Sequence, residues 1–320
     1  MMKTEPATPA LEHFNVHSTR HLNDLINLVR IPSISFPGFD PTPLKHCAEA
    51  VAALLVKSGL SDIRILDTGA GYPAVFGQWM GAPGKPIVLL YAHYDVQPTG
   101  REELWSTPPF EPSERSGRLY GRGTSDDKGG VVMYSAAIAS YLASIKSLPV
   151  NVKVLIEGEE EVGSTNLNKL LEQHGKLLSA DVVVIADSEN FDSGIPSLTA
   201  SLRGIVTVNV EVRSLGASVH SGTWGGPLPD PVLALSKMLA SLVDDKGKPA
   251  ISGMLDKVRA RSPQEQADLT SLPYKESTYR KQSGVLEGVR IIGGEGPVYD
   301  KMWHQPSIAV NVIEASSRKQ

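Results

Sequence analysis

Between residues 18 and 30, Leu22, Leu25, Ile26 and Val29 recur at helical spacing and Pro32 stops the pattern, which predicts a helix over 18–30. A second helix is predicted over 43–57, closed by Ser58-Gly59. Two apolar runs of strand length follow at 74–79 and 87–92, with Pro83, Gly84 and Pro86 making the turn between them. The Ala-rich stretch 130–143 reads as a buried helix, 150–156 as a strand, 167–178 as a helix and 181–186 as another strand. Unbroken β-branched runs alternating with helices predict an α/β domain over 1–200, with a mostly parallel sheet covered by helices on both faces.

Near residue 200 the texture changes. From Ile205 to Arg213 valines alternate with Thr207, Asn209, Glu211 and Arg213, the period of a strand with one wet face. A helix is predicted over 231–242, and the stretch to about residue 284 resists assignment. A smaller α+β domain over 201–320 is the expectation, with a further strand beginning near Val310.

The net charge of −4 and pI near 6.1 give no electrostatic reason to expect a nucleic-acid partner. The single cysteine, Cys47, rules out an intrachain disulfide and a multi-thiolate zinc site, and its apolar helical surroundings predict packing. The first thirty residues have no apolar core of a signal peptide, and no apolar run approaches the ~20 residues of a membrane span. A cytoplasmic location without a membrane partner is expected.

Chemistry concentrates at strand ends. The strand 87–92 runs into His93-Tyr94-Asp95, where His93 and Asp95 share one side of an extended chain at the carboxyl end of a buried strand. A metal-bound His commonly gives its other ring N–H to a carboxylate, which makes Asp95 a candidate orienter. The glycine-dense Gly121-Arg122-Gly123-Thr124-Ser125-Asp126-Asp127-Lys128-Gly129-Gly130 feeds a helix start. Either acid there could be an N-cap, yet two adjacent like charges repel unless a cation offsets them. The strand 150–156 delivers Glu157-Gly158-Glu159-Glu160-Glu161 to the same edge, and the strand 181–186 ends in Asp187-Ser188-Glu189. One nitrogen among many carboxylate oxygens suits two divalent ions bridged by a carboxylate, such as zinc, manganese or cobalt. His13, His17 and His21 stand four apart but lack an acidic partner and are expected to be exposed.

With these residues assembled, the chain resembles the M20 family of metallopeptidases. His93-Tyr94-Asp95-Val96-Gln97-Pro98, Trp105 with Pro109-Phe110, and the stretch 119–130 resemble its carnosinase-like dipeptidase branch. The resemblance implies a zinc-exopeptidase-like domain followed by a lid, or dimerisation, domain. It makes His93, Asp126 and Asp187 ligands of one metal, with Asp126 bridging to a second metal held by Glu161. Asp95 orients His93, Glu160 is the general base, and the Asp126–Asp127 bond is often cis in such proteins. Ser201-Leu202-Arg203-Gly204 and Val219-His220-Ser221-Gly222 resemble the start of the lid, where the histidine at the His220 position crosses a dimer to stabilise the tetrahedral intermediate.

The resemblance also implies a later metal-binding His and a substrate-gripping Arg beyond position 320, so both domains are expected to be incomplete at the C-terminus. The implied activity is amide hydrolysis of dipeptides or small peptides by a homodimer. Two alternatives stand beside it: deacylation of N-acyl amino acids of the acetylornithine or succinyl-diaminopimelate type, and a non-catalytic dimerising or metal-binding fragment.

Overall fold

A computed structural model describes residues 7–67, 69–188, 190–192, 194–199, 201–294 and 296–315. The chain divides into two compact units, Met1–Ser197 and Leu198–Gln320.

The first unit opens with α1 (Thr8–Val16), α2 (Ser18–Val29) and α3 (Thr42–Ser58), followed by β1 (Ser61–Leu66), β2 (Ala74–Trp79) and β3 (Ile87–His93). A small hairpin of β4 (Ser113–Arg115) and β5 (Arg118–Tyr120) precedes α4 (Lys128–Ser144), β6 (Asn151–Glu157), α5 (Leu167–Leu178) and β7 (Val182–Ile185). The main sheet runs β1-β2-β6-β3-β7. β3 is parallel to both β6 and β7, while β2 is antiparallel to β1 and β6.

Side-chain alternation along these strands builds two cores. Val75, Leu90, Val152, Val154 and Ile156 pack with residues of α2, α3 and α4. The intervening Phe76, Leu89, Tyr91 and Leu155 pack with Leu170 and Leu178 of α5. Phe76 is 0% exposed and Leu155 2%, and burying each such side chain is worth roughly 1.5–3 kcal/mol. The parallel register sets His93 opposite Glu157 and Tyr91 opposite Ile185. The carboxyl ends of three strands therefore finish at one edge. β7 is an edge strand, and all four of its apolar side chains are exposed.

The elements predicted in this unit are present with ends moved by one or two residues, whereas α1, β1 and the β4–β5 hairpin are additions that the hydrophobic pattern does not signal. The three N-terminal histidines are half-buried rather than exposed, because α1 folds against α4. His13 stacks on His17 at 4.1 Å and lies 3.4 Å from Ser140 Oγ, while Phe14 stacks on His21 at 5.5 Å.

In the second unit, α6 (Ser221–Trp224), α7 (Pro231–Ala240), α8 (Pro263–Ser271), α9 (Glu276–Ser283) and α10 (Val298–Trp303) are helical. The strands expected over 205–213 and from Val310 do not form among the described residues. The Arg203 guanidinium reaches Gln305 O at 3.2 Å and Ser307 Oγ at 3.0 Å, so the residues just before the two segments meet, but among the described residues no backbone ladder joins the segments themselves. Alternation selects a wet face and a dry face, whereas a strand also needs a hydrogen-bonded neighbour. Ile205, Val206 and Val208 remain exposed. Among the described residues no helix is long and apolar enough to cross a membrane.

Candidate metal centre

His93 ends β3 fully buried, with its imidazole edge facing carboxylates contributed by three other segments. Its Nε2 lies 3.0 Å from Asp126 Oδ1, 3.9 Å from Glu160 Oε2 and 3.9 Å from Asp187 Oδ2. Its Nδ1 faces the main-chain oxygen of Asp95 at 3.0 Å and the Asp95 carboxylate at 3.3 Å. Burial works against the charged imidazole, but the Asp95 hydrogen bond and the charges of Asp95, Asp127 and Glu160 prevail and raise its pKa to about 10. The surrounding carboxylates thus favour the protonated imidazole.

Asp126 and Asp127 take different roles although they are adjacent. The peptide bond between them is cis. Asp126 presents its carboxylate to His93 with a side chain 58% exposed. Asp127 occupies the N-cap position of α4 but makes no side-chain cap; its buried carboxylate accepts from His93 N at 3.3 Å. Burial pushes the Asp127 carboxyl up to about 7, with His93 opposing and Asp187 and Asp126 adding to the rise. Gly130 is needed for this arrangement, because a Cβ there would stand 2.2 Å from Asp127 Oδ1.

The acidic run after β6 is sorted by local structure. Glu157 accepts from Tyr91 Oη at 2.8 Å, and Glu159 accepts from Asn166 N at 2.6 Å and Tyr72 N at 3.3 Å. Both serve the fold. Glu160 and Glu161 begin a one-turn 3-10 helix, Glu160–Val162, whose first two amides bind the Asp95 carboxylate at 3.2 and 3.0 Å. Burial raises the Glu160 carboxyl above its ordinary range, as do the charges of Asp187, Glu161 and Asp95, against the pull of His93. Glu161 is raised by burial, and a hydrogen bond from Gln97 Nε2 partly offsets this.

Two clusters each bring three donor atoms within 4.8 Å of one another: His93, Asp126 and Glu161 in one, His93, Glu160 and Asp187 in the other. An imidazole nitrogen ringed by four carboxylates fits divalent cations of the zinc, manganese or cobalt kind, which supply the charge that these acids otherwise lack. The residues thus fit a metal centre, although His93 rather than Asp126 is the member common to both clusters in the metal-free chain. His220 belongs to the second unit, where its Nδ1 accepts from Gly222 N at 3.1 Å and caps α6. Glu189 lies outside the described residues.

Two residues escape a reading of motifs. Ser35 donates to Asp95 Oδ2 at 2.6 Å, and the buried Lys128 donates to Leu28 O and Ile31 O at 3.0 and 2.6 Å. Lys128 follows the acidic pair in plain sight, but no spacing signals Ser35. An open hollow of about 430 Å³ is lined by Gly121 and Thr124 of the glycine-dense loop together with Trp105, Arg115, Leu119 and Tyr120.

Residues 89–286 match the sequence model of Peptidase_M20, peptidase family M20/M25/M40. The chain belongs to this family. Among its M20 relatives, a cysteinylglycine-S-conjugate dipeptidase of Corynebacterium striatum is 35% identical over 268 residues, covering 83% of this chain and 56% of the relative. A β-Ala-His dipeptidase of Rattus norvegicus is 33% identical over 246 residues, covering 76% of this chain and 50% of that protein. The crystal structure of human carnosine dipeptidase 1 superposes with a TM-score of 0.76 at 27% identity, covering 96% of this chain and 67% of the other. The chain spans about half the length of these curated M20 relatives.

Proposed function

We propose that this protein hydrolyses the amide bond of dipeptides or small peptides with two divalent cations, most simply zinc, with manganese or cobalt as substitutes. The observation that carries this reading is the convergence of His93, Asp126, Glu160, Glu161 and Asp187 at one sheet edge in an M20 chain whose relatives are named dipeptidases. His93, Asp126 and Asp187 would hold one cation, and Asp126 with Glu161 would hold the other. When bound, the cations lower the pKa of a water and polarise the scissile carbonyl.

The chain's own residues supply the rest. Glu160 takes the proton of the attacking water and returns it to the leaving amine, and its raised carboxyl pKa, due first to burial, suits that exchange. Asp95 holds His93 in the orientation that turns Nε2 to the centre. His220 of the partner subunit stabilises the oxyanion in a homodimer formed through the second unit. A cytoplasmic setting belongs to the same reading, and the lone cysteine, Cys47, which is free and buried, is compatible with it.

The test is a release assay on the zinc-loaded full chain, with cysteinylglycine, β-Ala-His and other dipeptides compared with N-acetyl and N-succinyl amino acids. Cleavage confined to dipeptides is expected. Glu160→Ala should lose roughly 10²–10⁴-fold in turnover with bound metal unchanged. Loss of metal in that variant would make Glu160 a ligand instead, and preferential release from the acylated amino acids would replace the peptidase by a deacylase.

A further inference from the structure

The Asp95 carboxylate is completely buried and receives four donors. Its Oδ1 faces Glu160 N at 3.2 Å and His93 Nδ1 at 3.3 Å, and its Oδ2 faces Glu161 N at 3.0 Å and Ser35 Oγ at 2.6 Å. The Ser35 contact is the shortest of the four. Three of the donors lie in the stretch matched to the M20 family, whereas Ser35 precedes residue 89, where that match begins.

The segment carrying Ser35 is itself fixed. Ile34 pairs with Val96 in a parallel bridge, Val96 N donates to Ser33 O at 2.9 Å, and Ser33 Oγ donates to Tyr94 O at 2.7 Å. Lys128 Nζ binds Leu28 O and Ile31 O just upstream. Ser33, Ile34 and Ser35 are all buried. The hydroxyl therefore has no solvent competitor and one strong acceptor, a short O–H···O⁻ contact of the charge-assisted kind.

A carboxylate can rotate about its terminal torsion at little cost unless both oxygens are engaged. The imidazole and the Glu160–Glu161 amides are the groups that Asp95 positions, so among its four donors Ser35 is the one that ties the carboxylate plane to a separate segment. We propose that Ser35 is a positioning residue that tunes cation affinity by locking Asp95, and through it His93 and Glu161. The proposal rests on the two-metal reading above, but it concerns metal binding and not the identity of the substrate.

The experiment uses the full chain as wild type, Ser35→Ala and Ser35→Thr, with zinc alone as the probe. Affinity is read by competition with a chromogenic chelator, and backbone amide exchange at Glu160 and Glu161 is read in the metal-free chain. Ser35→Ala should bind zinc several-fold more weakly, short of the roughly 10–100-fold lost with a ligand's own partner, since Ser35 acts one step further out through Asp95. Its Glu160 and Glu161 amides should exchange faster, while Ser35→Thr, which keeps the hydroxyl, behaves as wild type in both readouts. Wild-type zinc affinity in Ser35→Ala would overturn the proposal, as would equal weakening in both variants. Loss of the folded state in Ser35→Ala would also overturn it, by making the hydroxyl a general prop of the fold. If the wild-type chain bound no zinc, the two-metal reading would fall, and unchanged amide exchange in Ser35→Ala would still refute the positioning role.

Discussion

Glu161→Gln separates the cost of assembling the acidic cluster from its use. The donor atoms of His93, Asp126 and Glu161 lie within 4.8 Å of one another. Two like charges at that distance repel by roughly 1 kcal/mol in water and roughly 3.5 kcal/mol at an effective dielectric of 20. The Asp126 side chain is 58% exposed, so the lower end applies, and the attraction of His93 and the Gln97 hydrogen bond trim it further. Neutralising Glu161 should therefore stabilise the metal-free chain by a few tenths of a kcal/mol up to about 1 kcal/mol, at most about 2–4 °C in Tm for a unit of this size. Saturation with zinc should invert the order. At 100 times its Kd the wild type gains about 2.7 kcal/mol, while a variant binding 100-fold more weakly gains about 0.4 kcal/mol. The pH dependence has a definite sign. Burial first, then the Asp126 charge, raises the folded-state pKa of Glu161 above its ordinary 4.5. An acid with a raised folded pKa favours folding when protonated, so the wild-type deficit is absent below about 4.5 and opens as the pH climbs through the raised value. Calorimetric unfolding at pH 4 and pH 7.5, with and without zinc, measures all of this. A Glu161→Gln chain less stable than wild type when metal-free at pH 7.5, or one gaining as much from zinc, would refute the reasoning.

Two further outcomes follow from buried charges. With His93 raised to about 10, zinc binding at pH 8 should release about one proton, seen as a dependence of the binding enthalpy on the ionisation enthalpy of the buffer; no such dependence would mean that the imidazole is already neutral. Lys128→Met removes the charged donor to Leu28 O and Ile31 O and should lower the urea midpoint by the equivalent of about 2 kcal/mol, whereas a change under about 0.5 kcal/mol would mean that relief from burying the ammonium cancels the loss.

The first unit is legible because its inner strands β2, β3 and β6 are buried or half-buried on both faces and bounded by glycine and proline. The runs at Ala74, Ile87, Asn151 and Val182 all form strands, since apolar length and β-branching leave few other solutions. β1 escapes the pattern because Ser61-Asp62-Ile63-Arg64-Ile65-Leu66 is mostly exposed and lacks a clean period; its pairing with β2, including a register shift between Ser61 and Arg64, holds it in place. In the second unit, the valine alternation from Ile205 names a face but not a neighbour, and a ladder is a property of two segments. At the site, residue type and strand-end position bring out His93, Asp126 and Asp187, but nothing in Glu157-Gly158-Glu159-Glu160-Glu161 distinguishes one acid from another.

That distinction arises from hydrogen bonds that the run does not make with itself. Glu159 turns back to the amides of Tyr72 and Asn166, which lie on either side of it in the sequence and converge only in the fold. The next two residues enter a 3-10 turn whose amides point at Asp95, so their side chains are left to face His93 and Gln97. Asp95 thus fixes which acids face the candidate site as well as how the imidazole is turned. The buried carboxylate accepts from a strand end, a turn and a loop at once, and each donor loses more if it leaves than it gains from water it cannot reach. The cluster of like charges rests on such a base, because the repulsion among Asp126, Glu160, Glu161 and Asp187 acts on half-exposed side chains while the hydrogen bonds that hold the turn end on the fully buried Asp95 carboxylate.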